Sequence, residues 1–370
     1  MHDPFHRKRG LSVEKLICGD NFFHGLLFRK LSKLRRFEYD EAQESSGSRS
    51  DRRNGAASVP LLAEKGYQID GVAFDEKKSD YPNVRYLKLN VKEGDHLNRL
   101  LENNYDGIVD FMIYNTSELV RYLPRFLANT GHYIYLSSYR VYDNKATPIR
   151  EDSPRLIDSS EDALLRNSDD YSIYKARGEN ILRALPRKNW TIIRPAITYS
   201  LMRYQLVTLE APNTVGRAFA GKPVPLPEQA RGIQATMTWG GDVARMIAGL
   251  LFNEKAVCEA FTVATSEHRT WGEIADYYKD ICNLKAVWVD EEDYLRMLSS
   301  DPYAYWTRWQ LEYDRFFNRV IDNSKVLTVT GMTQESLKTL YDGLKYEISR
   351  CPRDIQWPVN TAMDQALIRN

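Results

Sequence analysis

The hydrophobic pattern of the chain becomes regular from residue 59 onward, where short apolar runs alternate with amphipathic segments. Each run predicts a buried strand, because parallel strands that are covered on both faces are apolar at nearly every position. Strands are predicted at 67–74, 84–89, 107–114, 132–137 and 190–194, and helices at 59–66, 96–103, 117–127 and 171–185. This alternation predicts right-handed βαβ units and an α/β fold with a Rossmann-like, doubly wound parallel sheet.

The two ends of the chain depart from that alternation. Residues 1–54 contain a candidate first strand at 13–18, a basic amphipathic helix at 24–36 and a polar stretch at 41–54 that predicts a flexible loop. Beyond residue 195, helices are predicted near 242–252, 271–282, 291–298 and 334–349. We therefore divide the chain into an anomalous segment at 1–54, a Rossmann-like core at 55–195 and a smaller C-terminal lobe at 196–370. That lobe is expected mainly to bind substrate and to complete the sheet.

Composition narrows the classes of function. The chain has 51 Lys and Arg against 50 Asp and Glu, so it lacks an overall field that would attract nucleic acid or an anionic membrane. Neither a transmembrane run nor a secretory signal is recognised in the sequence, so we expect a cytoplasmic protein. The four cysteines show no CxxC spacing and the six histidines no HxxxH or HExxH spacing, and we expect neither disulfides nor a metal centre.

A tyrosine and a lysine stand four residues apart in the helix predicted at 171–185. Tyr171 and Lys175 therefore share one helical face, and an ammonium beside a phenol favours the ionised phenolate, a usable acid or base near neutral pH. Ser138 follows the strand predicted at 132–137, and the carboxyl end of a parallel strand borders the crevice where such sheets bind ligands. Because 23 tyrosines give chance matches, a half-exposed helix face remains the alternative interpretation of this pattern.

Four segments, in the correct order, resemble the extended short-chain dehydrogenases/reductases of the NAD-dependent epimerase/dehydratase kind. The segment YIYLSSYRVYDN resembles the strand and SSxxVYG motif of that family, DDYSIYKARGENILR its YxxxKxxxE helix, WTIIRPAITYS its TxxRP strand, and MTWGGDVARMIAGLL its DVA helix. The resemblance covers about residues 55–285. It implies that Tyr171 is the catalytic acid/base, Lys175 its ribose-binding partner and Ser138 the hydroxyl that polarises the substrate.

The resemblance also implies a cofactor, a substrate and a partner. The cofactor would be NAD, with NADP not excluded, and Pro195 and Lys175 would be among the residues that bind it. The substrate would be a nucleotide-activated sugar, and a homodimer is the expected assembly. Asp75 suits the ribose 2′-hydroxyl, with a plain turn residue as the alternative, and Asn90 stands where the family has an Asp for the adenine. Candidate ligands of the substrate diphosphate are Arg231, Arg315 and Arg319.

The glycine-rich dinucleotide turn of this family has no clear counterpart in the chain. Gly55 lies 11 residues before Gly66, where a third glycine is expected, but arginines occupy the two earlier positions. The alternative is that Gly19 and Gly25 frame the turn, behind the candidate strand at 13–18. A third alternative is that residues 1–50 are not native to this fold. The sequence leaves all three open.

We therefore expect an NAD(P)-dependent epimerase, dehydratase or reductase that acts on a nucleotide sugar. The alternative is a protein of the same fold whose cofactor site is impaired, and which binds RNA or a regulatory partner instead. Local runs of basic residues at 7–9 and 29–36 are the feature that keeps this alternative open.

Overall fold

A seven-stranded sheet forms the centre of the molecule. The computed structural model describes residues 23–29, 58–73, 76–298 and 305–369. Its strands are β1 (Phe23–Arg29), β2 (Gln68–Ala73), β3 (Val84–Lys88), β4 (Tyr105–Asp110), β5 (Thr130–Leu136), β6 (Trp190–Ile193), β7 (Ile197–Tyr199), β8 (Pro223–Pro227), β9 (Gln234–Ala235), β10 (Met237–Trp239), β11 (Ala260–Phe261), β12 (Arg269–Thr270) and β13 (Lys285–Val289). The central sheet has the order β11-β6-β5-β4-β1-β2-β3.

Helices surround this sheet and build the C-terminal part of the chain. They are α1 (Ser58–Glu64), α2 (His96–Leu101), α3 (Thr116–Ala128), α4 (Leu156–Ser159), α5 (Ala163–Asn167), α6 (Tyr171–Ala184), α7 (Val215–Phe219), α8 (Gly240–Leu250), α9 (Trp271–Cys282), α10 (Glu291–Leu298), α11 (Tyr305–Gln310), α12 (Ser324–Thr330), α13 (Leu340–Ser349) and α14 (Thr361–Arg369). A π-helical turn at Leu311–Arg315 continues α11. Among the described residues, no helix is long and apolar enough to cross a membrane.

Apolar side chains pack on both faces of the sheet, as expected for a doubly wound fold. One face is covered by α1, α8 and α12, whose core residues include Leu62, Ile247 and Val326. The other is covered by α2, α3 and α6, with Leu123 and Leu182 in its core. The predicted parallel sheet with helices on both sides is therefore confirmed for β2 through β6 and for β11, which pairs with β6.

The interior strand β1 runs opposite to its neighbours. It pairs antiparallel with β2, where Phe23 lies opposite Ala73 and Arg29 opposite Gln68, and antiparallel with β4. The helix predicted at 24–36 is therefore wrong over 24–29. The physical reason is that β2 and β4 each present a row of backbone donors and acceptors, and pairing with both rows overrides the local helical pattern. The strand predicted at 13–18 and the loop predicted at 41–54 lie outside the described residues.

The part of the chain beyond residue 195, called here the C-terminal lobe, contributes most of a further buried cluster, which also includes residues from 139–176. It contains the short strand pairs β7–β10, β8–β13 and β9–β12, together with helices α7, α9, α10 and α13. Its buried centre is aromatic, with Tyr199, Tyr204, Trp271, Tyr278 and Tyr294 among the largest members. The helix predicted at 334–349 is shorter than expected, because only Leu340–Ser349 is α-helical and a 3₁₀ turn at Gln334–Ser336 precedes it.

Candidate active site at the carboxyl ends of the strands

Ser138 leads the chain out of β5 at the carboxyl edge of the sheet. Its backbone is extended, and a 3₁₀ turn begins at the next residue. The Ser138 Oγ accepts a hydrogen bond from the Arg140 backbone N–H at 3.2 Å, which closes the turn. The side chain is buried, at 5% exposure, on the side of the sheet edge where α6 begins.

The start of α6 is fixed by a side-chain cap. The Asp170 Oδ1 accepts from the Ser172 backbone N–H at 2.9 Å and from the Ser172 hydroxyl at 2.7 Å, which satisfies a donor that the first turn leaves free. The helix therefore begins at Tyr171, which is half-buried, and places Lys175 one turn later. Lys175 faces the ends of β4 and β5, and Tyr171 lies beside it on the same helix.

Lys175 is enclosed, with 1% of its side chain exposed. Its Nζ donates to the Leu136 carbonyl at 2.6 Å and to the Met112 carbonyl at 3.4 Å, and so ties the ends of β5 and β4 together. The Nζ also lies 5.7 Å from the ring centroid of Tyr171. Burial lowers the pKa of Lys175 to about 8, although the negative charge of Asp110 opposes that shift. The ammonium is thus held near its titration range beside the candidate catalytic ring.

Asp110 is a site residue that the sequence analysis did not identify. It ends β4 with 3% exposure and accepts hydrogen bonds from the hydroxyls of Tyr133, at 2.5 Å, and Tyr114, at 2.7 Å. Burial raises the pKa of Asp110, against the opposing effect of these hydrogen bonds. The signal that could have revealed it is a carboxylate inside an apolar strand run, because a buried charged group must find partners.

A buried ion pair fixes α6 against β6. The two side chains, Glu179 and Arg194, are at most 1% exposed and form two hydrogen bonds, Nε to Oε1 at 2.8 Å and Nη2 to Oε2 at 2.7 Å. Ser137 donates to the same carboxylate at 2.6 Å. Burial alone would raise the pKa of Glu179, but the charge and hydrogen bonds of Arg194, with Ser137, outweigh it and lower the pKa to about 2. The pair therefore fixes the orientation of α6, the helix that carries Tyr171, about its own axis.

The predicted cofactor residues are only partly brought to this edge. Pro195 directly follows β6, and its carbonyl accepts from the Tyr139 backbone N–H at 3.0 Å, beside the Ser138 turn. Asn90 follows β3, where its side chain closes a local turn with Glu93 and the Lys92 backbone. The residues Gly19, Gly55 and Asp75 lie outside the described part of the chain.

Gly25 lies within β1 and pairs with Val72 of β2. The alternative in which Gly25 closes a strand-to-helix turn is therefore wrong. Moreover, β1 ends at Arg29, opposite the first residue of β2 and thus at the amino edge of the sheet. A tight turn from this strand into a helix at the carboxyl edge is not formed by β1 and α1.

The three arginines predicted to bind the substrate have different environments. Arg231 is exposed, pairs with Glu228 at 3.5 Å and lies over the ring of Trp288. The other two are buried in the C-terminal lobe, where Arg315 donates to the Val207 carbonyl and the Tyr139 hydroxyl. Arg319 donates to the carbonyls of residues 142, 143 and 313.

The described residues contain no group of three or more His, Cys, Asp or Glu placed to hold a metal ion.

Arg140 lies closer to Tyr171 than any of these three arginines does among the described contacts. Its guanidinium carbon is 5.2 Å from the Tyr171 ring centroid. Its Nη2 is 3.9 Å from Asp170, and its Nε is 3.4 Å from Asp314 on the π-helical turn. Arg140 occupies a variable position of the SSxxVYG motif, so the motif itself gives no signal for this residue.

Comparison with known proteins finds relatives only among solved structures: no protein-family profile and no curated relative matches the chain. A dTDP-glucose 4,6-dehydratase from Bacillus anthracis in complex with NAD is 17% identical, with 73% of this chain and 80% of that chain covered and a TM-score of 0.54. A UDP-glucose 4-epimerase from Thermotoga maritima with UDP-glucose is 15% identical, with 80% and 94% covered and a TM-score of 0.56.

A UDP-glucuronic acid 4-epimerase from Bacillus cereus in complex with UDP-glucuronic acid and NAD is also similar. It is 15% identical, 72% of this chain and 81% of that chain are covered, and the TM-score is 0.53. At these identities the similarity concerns the fold. The chain therefore has the fold of the sugar-nucleotide epimerases and dehydratases, and the resemblance carried by its motifs is confirmed at that level.

Proposed function

We propose that this protein is an NAD(P)-dependent epimerase, dehydratase or reductase that acts on a nucleotide-activated sugar. The observation that carries the proposal is the placement of Tyr171 and Lys175 on one face of α6, at the carboxyl ends of β4 and β5, with Ser138 in the turn that leaves β5. Solved proteins of the same fold contain NAD and UDP-sugars, which supports the choice of cofactor and substrate class.

The part of the site near Lys175 suits a dinucleotide. Lys175 and the turn after β6 lie at the edge where doubly wound sheets bind ligands. At the start of α1, the fully buried Ser58 Oγ has no hydrogen-bond partner among the described residues. Since α1 leads into the amino end of β2, its first turn lies on the side of the carboxyl edge of the sheet, where a phosphate would meet this hydroxyl, which has no partner among the described residues.

The pyrophosphate part of such a site would differ from the usual one, because β1 runs in the opposite direction. The residues that would hold the cofactor are therefore Lys175, the chain around Pro195 and the start of α1, rather than a glycine turn after β1. When bound, NAD would accept a hydride from the sugar carbon and return it.

The residues of the chain would perform the proton transfer. Tyr171 would take the proton of a sugar hydroxyl through its phenolate oxygen and give it back at the end of the cycle. Lys175 would stabilise the phenolate by its charge, with its Nζ 5.7 Å from the ring centroid. Ser138 would hydrogen-bond the same sugar oxygen and hold it in line with the tyrosine.

Two measurements test this function. Titration of the full chain with NADH and NADPH, followed by nucleotide fluorescence, should give saturable binding. Tyr171→Phe should retain that binding and lose activity by about 100-fold or more, since it removes the acid/base group. Tyr174→Phe is the matched control, because the Tyr174 hydroxyl has no hydrogen-bond partner among the described residues and its ring is kept.

A chain that binds neither nucleotide would contradict the proposal. That result would favour the alternative of a protein with this fold that binds RNA or a regulatory partner. Gel-shift titration of single-stranded RNA at low salt, with and without residues 1–54, would then separate RNA binding from regulation by a protein.

A further inference from the structure

One buried carboxylate in the C-terminal lobe is shared by three arginines. Asp314 has no exposed surface and lies within 4 Å of the guanidinium groups of Arg140, Arg315 and Arg319. Burial alone would raise the pKa of Asp314, but the three positive charges outweigh it and lower the pKa. Three guanidinium charges therefore surround the single negative charge of Asp314, which cannot neutralise them all.

Two of these arginines are fully engaged by the fold. The guanidinium of Arg315 bonds Asp314, the Val207 carbonyl and the Tyr139 hydroxyl. That of Arg319 bonds Asp314 and three backbone carbonyls. Neither is placed to approach a substrate without giving up buried hydrogen bonds, and this would be costly.

Arg140 differs from both. Its side chain is 14% exposed, and its Nε, although 3.4 Å from Asp314, forms no hydrogen bond with a described residue. Its guanidinium carbon lies 5.2 Å from the centroid of the Tyr171 ring, within the range of a cation–π contact. Asp170, which caps the helix of Tyr171, is 3.9 Å from its Nη2. Arg140 thus links the turn after β5, the start of α6 and the C-terminal lobe.

We propose that Arg140 is a positioning residue for Tyr171, and that Asp314 anchors it from the C-terminal lobe. This proposal rests on the proposed function. Arg140 holds the ring in place. As a second cation beside Lys175, it also stabilises the negative charge that Tyr171 acquires when its proton passes to the oxygen of the product. A site with both cations keeps the phenolate available at lower pH than Lys175 alone would.

Other charged and titratable groups also face Tyr171. From α6 and its cap these are Lys175, Tyr174 and Asp170, and from β5 the neighbour is Tyr135. The carboxylate of Asp170 opposes the two cations, and its own contact with Arg140 reduces that opposition. Removal of Arg140 therefore disfavours the Tyr171 phenolate in two ways: a cation is lost, and the negative charge of Asp170 is no longer offset.

The test compares Arg140→Gln and Arg140→Lys with the matched control Arg150→Gln. Arg150 lies ten residues further along the chain, is 63% exposed and pairs with Asp322, so its loss removes the same charge away from the site. Arg140→Gln should lower kcat about tenfold or more with KM within about threefold, and should move the acid limb of the pH–rate profile upward by about one pH unit. Arg140→Lys should recover most of the pH shift, and Arg150→Gln should match the wild type.

A second readout does not depend on activity. Carbon NMR of protein labelled at the tyrosine Cζ, with the Tyr171 signal assigned by its loss in Tyr171→Phe, follows ionisation of this residue directly. The titration midpoint of Tyr171 should rise by about one pH unit in Arg140→Gln. An unchanged midpoint in a folded Arg140→Gln variant would overturn the inference. An inactive wild type with a shifted midpoint would instead reject only the proposed function.

If Arg140→Gln does not fold, Arg140→Lys carries the test. Arg140→Lys keeps the charge but loses the planar group that contacts both carboxylates. The acid limb of its pH–rate profile should therefore stay where it is in the wild type, while kcat falls in part. The reverse pattern, a shifted limb with intact kcat, would contradict a positioning role.

Discussion

The two halves of the carboxyl edge of the sheet are built on different principles. On the side of β4, β5 and β6, the side chains that carry the motif are enclosed and bonded, as in the pair Glu179–Arg194 and the contacts of Lys175. On the side of β1 and β2, the interior strand β1 runs against its neighbours, and its carboxyl end lies at the amino edge of the sheet. The first half has the geometry of a catalytic site, whereas the second departs from the usual dinucleotide cradle.

This difference shows which parts of such a site depend on one another. The catalytic half is fixed by contacts among α6, β5 and β6, none of which involves β1. The direction of β1 can therefore differ without displacing Tyr171 or Lys175. A dinucleotide that binds here must rely less on backbone donors of a glycine turn and more on Lys175 and the start of α1.

The largest expected effect concerns the direction of β1. A cysteine pair at Arg29 and Gln68 should form a disulfide under mild oxidation, because these residues lie opposite each other in the antiparallel register. The control pair at Phe23 and Gln68 should not, because a seven-residue strand separates its ends by about 20 Å, and a disulfide needs Cα atoms within about 7 Å. Mass spectrometry of the cross-linked peptides distinguishes the two, and cross-linking of the control pair alone would show a parallel β1.

The second effect concerns the stability of the catalytic half. Arg194→Met should lower the free energy of unfolding by about 3–5 kcal/mol, because it leaves the buried Glu179 carboxylate without its main partner. Arg183→Gln is the control: this arginine contacts the same carboxylate but is 40% exposed, and its loss should cost less than about 1 kcal/mol. Urea unfolding measures both, and equal losses would show that burial of the Arg194 pair is not what distinguishes it.

The third and smallest effect is a pH dependence that arises from Glu179. Its folded pKa of about 2 lies below the ordinary value of 4.5, so the stabilisation is complete above pH 4.5 and declines as pH falls toward 2, because only the unfolded chain binds a proton there. The stability gap between wild type and Glu179→Gln should therefore narrow by about 1 kcal/mol between pH 6 and pH 3.5. A constant gap over this range would contradict the depressed pKa.

The sequence predicted the local parts of this structure well. The order of β2 through β6 and of the helices α2, α3 and α6 between them follows from periodicity, which is a property of neighbouring residues, whereas the short helices α4 and α5 were not predicted. The Tyr171–Lys175 face follows from helical spacing, and the position of Ser138 follows from the end of an apolar strand. Residues 24–29 were predicted incorrectly by the same method, since a basic amphipathic pattern competes there with pairing to two strands.

Features that join distant parts of the chain were decided by the tertiary structure alone. Asp110 meets Tyr133 across 23 residues, and Arg315 meets Tyr139 across 176, and neither contact leaves a periodic signal in the sequence. The same holds for Arg140, which meets Tyr171 and Asp314 only when the C-terminal lobe packs against the end of β5. The sequence by itself thus determined the candidate catalytic motif and the elements that carry it, because these depend on local spacing. The direction of β1 and the charges around the tyrosine required the folded chain, because their partners are brought together only by packing.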